Sequence, residues 1–141
     1  TLKKYTGEPS NTTRCLKQLK SQGYQIVATT PHQNDYTPET LPLEGKTALV
    51  FGTELKGLTE EAIRLADAYV RIPMVGFTES LNISVSAATL LYTLTQRLRN
   101  SGIPWQLSEE ESAEVLLSWL MQSVKKSEII VADFLKQKAL S

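Results

Sequence analysis

The chain reads as an α/β protein with a mostly parallel sheet, and three features of its sequence predict this. First, short β-like runs alternate with helix-like segments between residues 11 and 103, as when crossover helices join parallel strands. Second, the run at 47–52 is apolar almost throughout and ends in Gly52, as in a central strand buried on both faces. Third, residues 72–86 pass from a strand end through Pro73 and Gly76 to a helix start rich in Ser80, Asn82, Ser84 and Ser86. Proline ends a strand ladder because it has no N–H to donate, and glycine frees the loop backbone. Serine and asparagine satisfy the first open N–H groups of a helix. Junctions of this kind are where α/β proteins hold ligands.

Taken in order, residues 11–22 have helical spacing, with Leu16 and Leu19 on one face and Gly23 as a stop. Residues 24–29 read as a strand ending at Thr29, and 31–42 as a polar loop bounded by Pro31 and Pro42. After the strand at 47–52, Thr59 caps a helix that runs to Asp67, with Glu60 and Glu61 placed well for its dipole. A strand follows at 68–72. A long helix spans about 82–100, with Val85, Ala88 and Tyr92 at helical spacing, and Gly102 and Pro104 end it. The order is α-β-β-α-β-α. Residues 105–141 change character: Ser108 and Glu111 match a capping box. Val115, Leu116, Trp119 and Leu120 then form one apolar stripe, and Ile130, Val131, Phe134 and Leu135 another. This is a helical extension, one bent helix or two, whose apolar face packs on the main body or on a second subunit.

Bulk properties exclude several classes. The 141 residues are 41% hydrophobic and 21% charged, with a net charge of zero, so the chain can build a core, and a nucleic-acid partner is not implied by charge, though local basic patches could still bind one. No apolar run reaches the roughly 20 residues that span a bilayer, and no leader-like segment opens the chain. With a single cysteine, Cys15, an internal disulfide is impossible. These features favour a cytoplasmic protein with no membrane segment. Cys15 itself reads as a packing residue. The single histidine, His32, argues against a histidine metal site or a catalytic triad, so no metal is expected.

A second junction, "LVFGTELKGLT" at 49–59, brings Gly52 to a strand end, followed by Glu54, Lys56 and Gly57. Alone, it could be an ordinary βα turn. It lacks both the G-x-G-x-x-G fingerprint and the Gly-Lys-Ser/Thr ending of a phosphate-binding loop. In a parallel sheet, however, the strand ends at Thr29, Gly52 and Ile72 lie side by side, and their loops enclose one pocket.

The pair "LVFGTELKGLT" and "IPMVGFTESLNISVSAA", in this order and spacing and preceded by "GYQIVATT", resembles the second and third motifs of the SPOUT superfamily. The resemblance is to its TrmH-type branch of RNA 2′-O-ribose methyltransferases and covers about residues 10–103. The tail resembles the bacterial tRNA guanosine enzymes of that branch more loosely. The resemblance implies a SPOUT-type α/β knot, a deep trefoil, with a C-terminal helical extension. It also implies a bent S-adenosylmethionine cofactor, a homodimer with the site near its interface, and RNA as substrate, in particular a D-loop guanosine of tRNA. It places cofactor contacts at Thr29, Gly52, Ile72, Met74 and Leu81. A neutral purine asks for peptide N–H and C=O edges and an apolar slot, which suits these residue types.

Glu54, Ser80 and Asn82 match motif positions, and the resemblance gives them positioning roles in catalysis. Each also has a plain structural reading: Glu54 as a loop carboxylate holding backbone N–H groups, Ser80 and Asn82 as helix caps. Arg71 and Lys56 are candidates for phosphate contacts, and Glu79 is given no role. The family's first motif, an asparagine followed by an arginine that assists proton loss from the 2′-OH, has no match in this chain. Asn11 and Arg14 stand too close to the next strand to supply it. The expectation is therefore a methyltransferase domain over residues 1–104, incomplete at its N-terminal side, with an extension at 105–141. A non-catalytic knotted module for RNA binding or dimerisation is the alternative. In the extension, RNA would avoid Glu109, Glu110 and Glu111, and Lys125, Lys126, Lys136 and Lys138 are the better backbone contacts.

Overall fold

A computed structural model describes residues 3–6, 11–33, 35–78 and 80–139. Glu79, given no role from sequence, lies outside them. The chain divides into two compact units, Thr1–Ile103 and Pro104–Ser141.

The first unit contains α1 (Asn11–Ser21), β1 (Tyr24–Thr29), β2 (Lys46–Val50), α2 (Glu60–Leu65), β3 (Ala68–Val70) and α3 (Ile83–Arg99). This is the element order expected. The strands form one parallel sheet in the order β2-β1-β3. Tyr24 pairs with Lys46 and Ala28 with Val50, while Val27 pairs with Ala68 and Thr29 with Val70.

Alternation along β1 divides the core between the two faces of the sheet. Ile26 packs with Leu16 of α1 and Ala62 of α2, joined by Ala48 and Val50 of β2. Val27 packs with Ala68 and Val70 of β3, Leu41 and Leu90 of α3, joined by Leu49 and Phe51. Helices therefore cover both faces, as doubly wound architectures require. The central strand, however, is β1, whose Ile26, Val27 and Ala28 are fully buried. The run at 47–52, expected to be central, forms β2 at the edge of this sheet. A continuous apolar run reports that both faces are covered, which they are. It does not report how many neighbours a strand has.

Boundaries moved for local reasons. α2 stops at Leu65 because Ala66 and Asp67 are recruited to the sheet. The Asp67 N–H donates to the Ile26 carbonyl at 2.8 Å, and its carboxylate accepts the Ile26 N–H at 2.8 Å and pairs with Lys20 Nζ. β3 ends at Val70, two residues early: its ladder with β1 stops at the Thr29–Val70 pair, and on its other side Tyr36 adds a single parallel bridge, the Arg71 N–H donating to the Tyr36 carbonyl at 2.9 Å. The loop at 31–42 is less polar in practice than its composition, since Leu41 and Pro38 are fully buried. Arg97 of α3 holds it there, donating from Nη1 to the carbonyls of Pro38 at 2.7 Å and Leu41 at 2.9 Å. In α3 the core side carries Leu90 and Leu94. The spacing Val85, Ala88, Tyr92 lies instead on the exposed face.

In the second unit the extension resolves into two helices, α4 (Glu109–Ser123) and α5 (Ser127–Ala139). The capping box forms: Glu111 N–H donates to Ser108 Oγ at 3.1 Å, and Ser108 N–H to Glu111 Oε2 at 2.9 Å. Lys126, at φ 61°, turns the chain between them. Neither helix has a buried residue. Among the described residues, no helix is long and apolar enough to cross a membrane.

Candidate functional site

The C-terminal ends of β1, β2 and β3 and the loops that leave them enclose one cavity of about 390 Å³, within the range of small-molecule sites. Thr29, Gly52, Ile72, Met74 and Leu81, the five residues expected around a cofactor, all line it. So do Glu54 and Ser80. Asn82 stands just behind them: its Nδ2 donates to Glu54 Oε1 at 2.6 Å. The strand ends thus meet in space as a parallel sheet requires.

Each wall has a local cause. On the β1 side, Thr29 Oγ1 donates to the Val50 carbonyl at 2.9 Å, tying the ends of β1 and β2. Thr30, nearly buried, donates its N–H to the Val70 carbonyl at 3.2 Å. Its hydroxyl in turn accepts the His32 N–H at 3.2 Å.

On the β2 side, Thr53 and Gly57 exchange two backbone hydrogen bonds of 2.9 and 2.8 Å, closing residues 53–57 into a small ring. That ring folds back over Gly52. A Cβ there would stand 2.1 Å from the Gly57 carbonyl carbon and 2.3 Å from the Leu58 nitrogen. Only glycine allows this approach of backbone to backbone.

On the β3 side, the chain leaves Val70 through Ile72, Pro73 and Met74 and turns at Gly76, φ +91°. It re-enters helix at Asn82, whose side-chain oxygen accepts the Ser84 N–H at 2.9 Å. Asn82 therefore does both jobs that its type allows. Its oxygen caps α3 and its amide nitrogen holds the Glu54 carboxylate, linking the two loops across 28 residues of chain.

Two further residues line the cavity: Thr30, which sequence reasoning passed over, and His32, which it weighed only against a metal site or a triad. The adjacent hydroxyls of Thr29 and Thr30 at a strand end were the available signal for Thr30. Arg71 and Lys56 also line it. The Arg71 Nε is buried and has no hydrogen-bond partner among the described residues. Arg14 lies elsewhere: it donates to the Thr6 carbonyl at 2.9 Å and stands over the Tyr5 ring. Leu55, Val75 and Phe77, on the two loops, are almost wholly exposed. No cluster of three or more metal-ligating side chains occurs among the described residues.

The site can therefore offer backbone donors and acceptors, apolar walls, one carboxylate held by an amide, and cationic groups at Arg71 and Lys56. Comparison with known proteins gives this arrangement a family. A tRNA (guanosine(18)-2'-O)-methyltransferase of Borreliella burgdorferi is 45% identical over 115 residues, 82% of this chain and 53% of that protein. The enzyme of that name from Aquifex aeolicus is 34% identical over 118 residues, 82% of this chain and 56% of its own. The chain thus spans about half the length of the curated relatives it matches. Among solved structures, the A. aeolicus TrmH/SpoU tRNA modifying enzyme superposes with a TM-score of 0.68, covering 81% of this chain and 59% of that one. The SpoU methyltransferase AviRb of Streptomyces viridochromogenes, in complex with the cofactor AdoMet, superposes at 0.56 and 25% identity, covering 67% and 38%. The model of the SpoU rRNA Methylase family matches residues 4–92. The chain belongs to the SpoU rRNA methylase family.

Proposed function

We propose that this chain forms the cofactor-binding part of an S-adenosylmethionine-dependent RNA 2′-O-ribose methyltransferase, with a tRNA guanosine as substrate. One observation carries the reading. The two motif loops, 52–58 and 72–82, and the end of β1 converge on a single cavity lined by Thr29, Gly52, Ile72, Met74 and Leu81. The relatives named above carry this activity in their names, and a SpoU structure of similar fold holds AdoMet. The proposal includes the trefoil knot through these loops and residues 1–104 as the methyltransferase domain, with 105–141 as its extension.

The residues present fit such a cofactor. The cavity is of small-molecule size, and its walls are mixed apolar and peptide surface. The Arg71 Nε, buried and without a hydrogen-bond partner among the described residues, is a donor that a ligand acceptor could satisfy. When bound, the cofactor supplies a methyl group on a sulfonium sulfur, whose departure as a neutral thioether is easy. This chain's residues would hold the reacting partners in line. Backbone at Gly52, Ile72 and Leu81 would meet the purine edge, and Met74 and Ile72 would flank the ring. Glu54, fixed by Asn82, and Ser80 would orient the ribose and the loop. These are positioning roles; the proton acceptor for the 2′-OH is not assigned to any residue of this chain.

The RNA is expected to be tRNA in the cytoplasm, read partly by the extension's lysines. A homodimer belongs to the same proposal. Its support is a set of exposed apolar side chains on α3 and the loops, Val85, Leu91, Tyr92, Val75 and Phe77, of the kind that contact surfaces carry.

Transfer of radiolabelled methyl from S-adenosylmethionine to bulk tRNA tests the reading in the whole protein. Incorporation at a ribose 2′-oxygen is expected. If the cofactor binds but no label reaches RNA, the alternative of a passive RNA-binding module replaces it.

A further inference from the structure

Arg71 is an arginine whose donor is buried before any ligand arrives. Its backbone is fixed at the sheet edge. Its N–H reaches the Tyr36 carbonyl at 2.9 Å, and the preceding Val70 carbonyl accepts from Thr30. It is followed directly by Ile72 and lines the same cavity as Met74 and Leu81. Its Nε has no partner among the described residues. A buried donor left unpaired is costly, and native structures rarely tolerate one without a reason. The guanidinium fork is matched to one kind of acceptor, a carboxylate or phosphate that takes two parallel N–H bonds.

S-adenosylmethionine has one such group, the carboxylate at its methionine end. On the reading of the cavity given above, we propose that Arg71 recognises this carboxylate and so fixes the methionine end of the cofactor. The other candidate cation, Lys56, is exposed on the 53–57 ring, and a hydrated RNA phosphate would meet it first. Glu54 is already engaged by Asn82 and repels a carboxylate, leaving the Arg71 side of the cavity as its place. The role is one of cofactor specificity; Arg71 takes no part in the bond made or broken.

Calorimetry on the full chain tests this with two ligands that differ only in that group, S-adenosylmethionine and its decarboxylated form. The wild-type protein should bind the intact cofactor roughly 10- to 100-fold more tightly, the scale of a paired charge-assisted hydrogen bond. In Arg71→Gln the ratio should fall close to one while affinity for the decarboxylated form stays unchanged. Arg71→Lys should lie between. Equal affinities in the wild type, which need no variant to fold, would overturn the proposal, as would a ratio that survives in Arg71→Gln. Should Arg71→Gln keep the ratio yet weaken tRNA binding and flatten its salt dependence, the residue contacts RNA phosphate and the carboxylate assignment falls. Failure of the wild type to bind either ligand would instead remove the cofactor reading itself.

Discussion

Asn82 and Glu54 show how one side chain can serve fold and site together. The 2.6 Å bond between them joins two loops, and the Asn82 oxygen caps α3 at the same time. Asn82→Ala should lose both, lowering stability by about 1 kcal/mol for the cap and weakening cofactor binding as Glu54 loosens. Asn82→Asp keeps a capping oxygen but sets a second carboxylate against Glu54. Thermal unfolding with ligand titration should therefore show near-wild-type stability and weakened binding in Asn82→Asp. Equal losses of stability in both variants would refute this division of labour. The two loop glycines separate in a similar way. At Gly76 the φ of +91° with open space around it predicts that Gly76→Ala costs about 1 kcal/mol of backbone strain. At Gly52 the added methyl would meet backbone at 2.1 Å, so Gly52→Ala should cost more and break the 53–57 ring, visible as faster amide exchange at Thr53 and Gly57. The sequence made both glycines and the Asn82 cap conspicuous. It could not show the Gly57 backbone against Gly52 or the amide–carboxylate bond, because both are contacts across loops whose paths the local pattern does not determine.

Elements were legible wherever their signals are local. The Asn82 and Ser108 caps and the strand at 24–29 stand as read. What failed were inferences about neighbours. The 47–52 run has the composition of a central strand yet lies at the edge of the sheet among the described residues, and the loop at 31–42 hides a core leucine beneath its polar composition. Both depend on tertiary partners. The Arg97 bonds to Pro38 and Leu41 predict that Arg97→Leu, which leaves those carbonyls unpaired, lowers stability by about 1–3 kcal/mol, measurable by urea unfolding. At the α2–β3 junction, burial alone would raise the Asp67 carboxyl. Hydrogen bonds from Lys20 and the Ile26 N–H, with the Lys20 charge, outweigh it and hold Asp67 below its ordinary 3.8. A group depressed by folding contributes stability that is present above its unfolded value and lost as pH falls through its folded one. Stability should thus decline as pH falls below about 4. Asp67→Asn should show less of that decline, and an unchanged acid slope in the variant would contradict the linkage.

For the molecule as a whole, composition and alternation were enough to give the α/β class, since a chain of this length must cover both faces of a parallel sheet. Why Val85, Ala88 and Tyr92 share a helical face was not legible, because spacing shows that residues align and not which way they point. In the structure that face is open, and Phe77 and Leu55 stand exposed on the site's loops. The homodimer reading predicts that Tyr92→Arg shifts the sedimentation profile from dimer to monomer with little change in the far-ultraviolet spectrum. A monomeric wild type at micromolar concentration would contradict it.

On the function proposed above, the ends of β1, β2 and β3, with the two motif loops, form an S-adenosylmethionine pocket. Isothermal titration of the folded chain with S-adenosylmethionine tests it most directly. Saturable binding is expected, weakened by Leu81→Arg, which fills the pocket with a charge. A folded chain that gives no binding at millimolar ligand would contradict it.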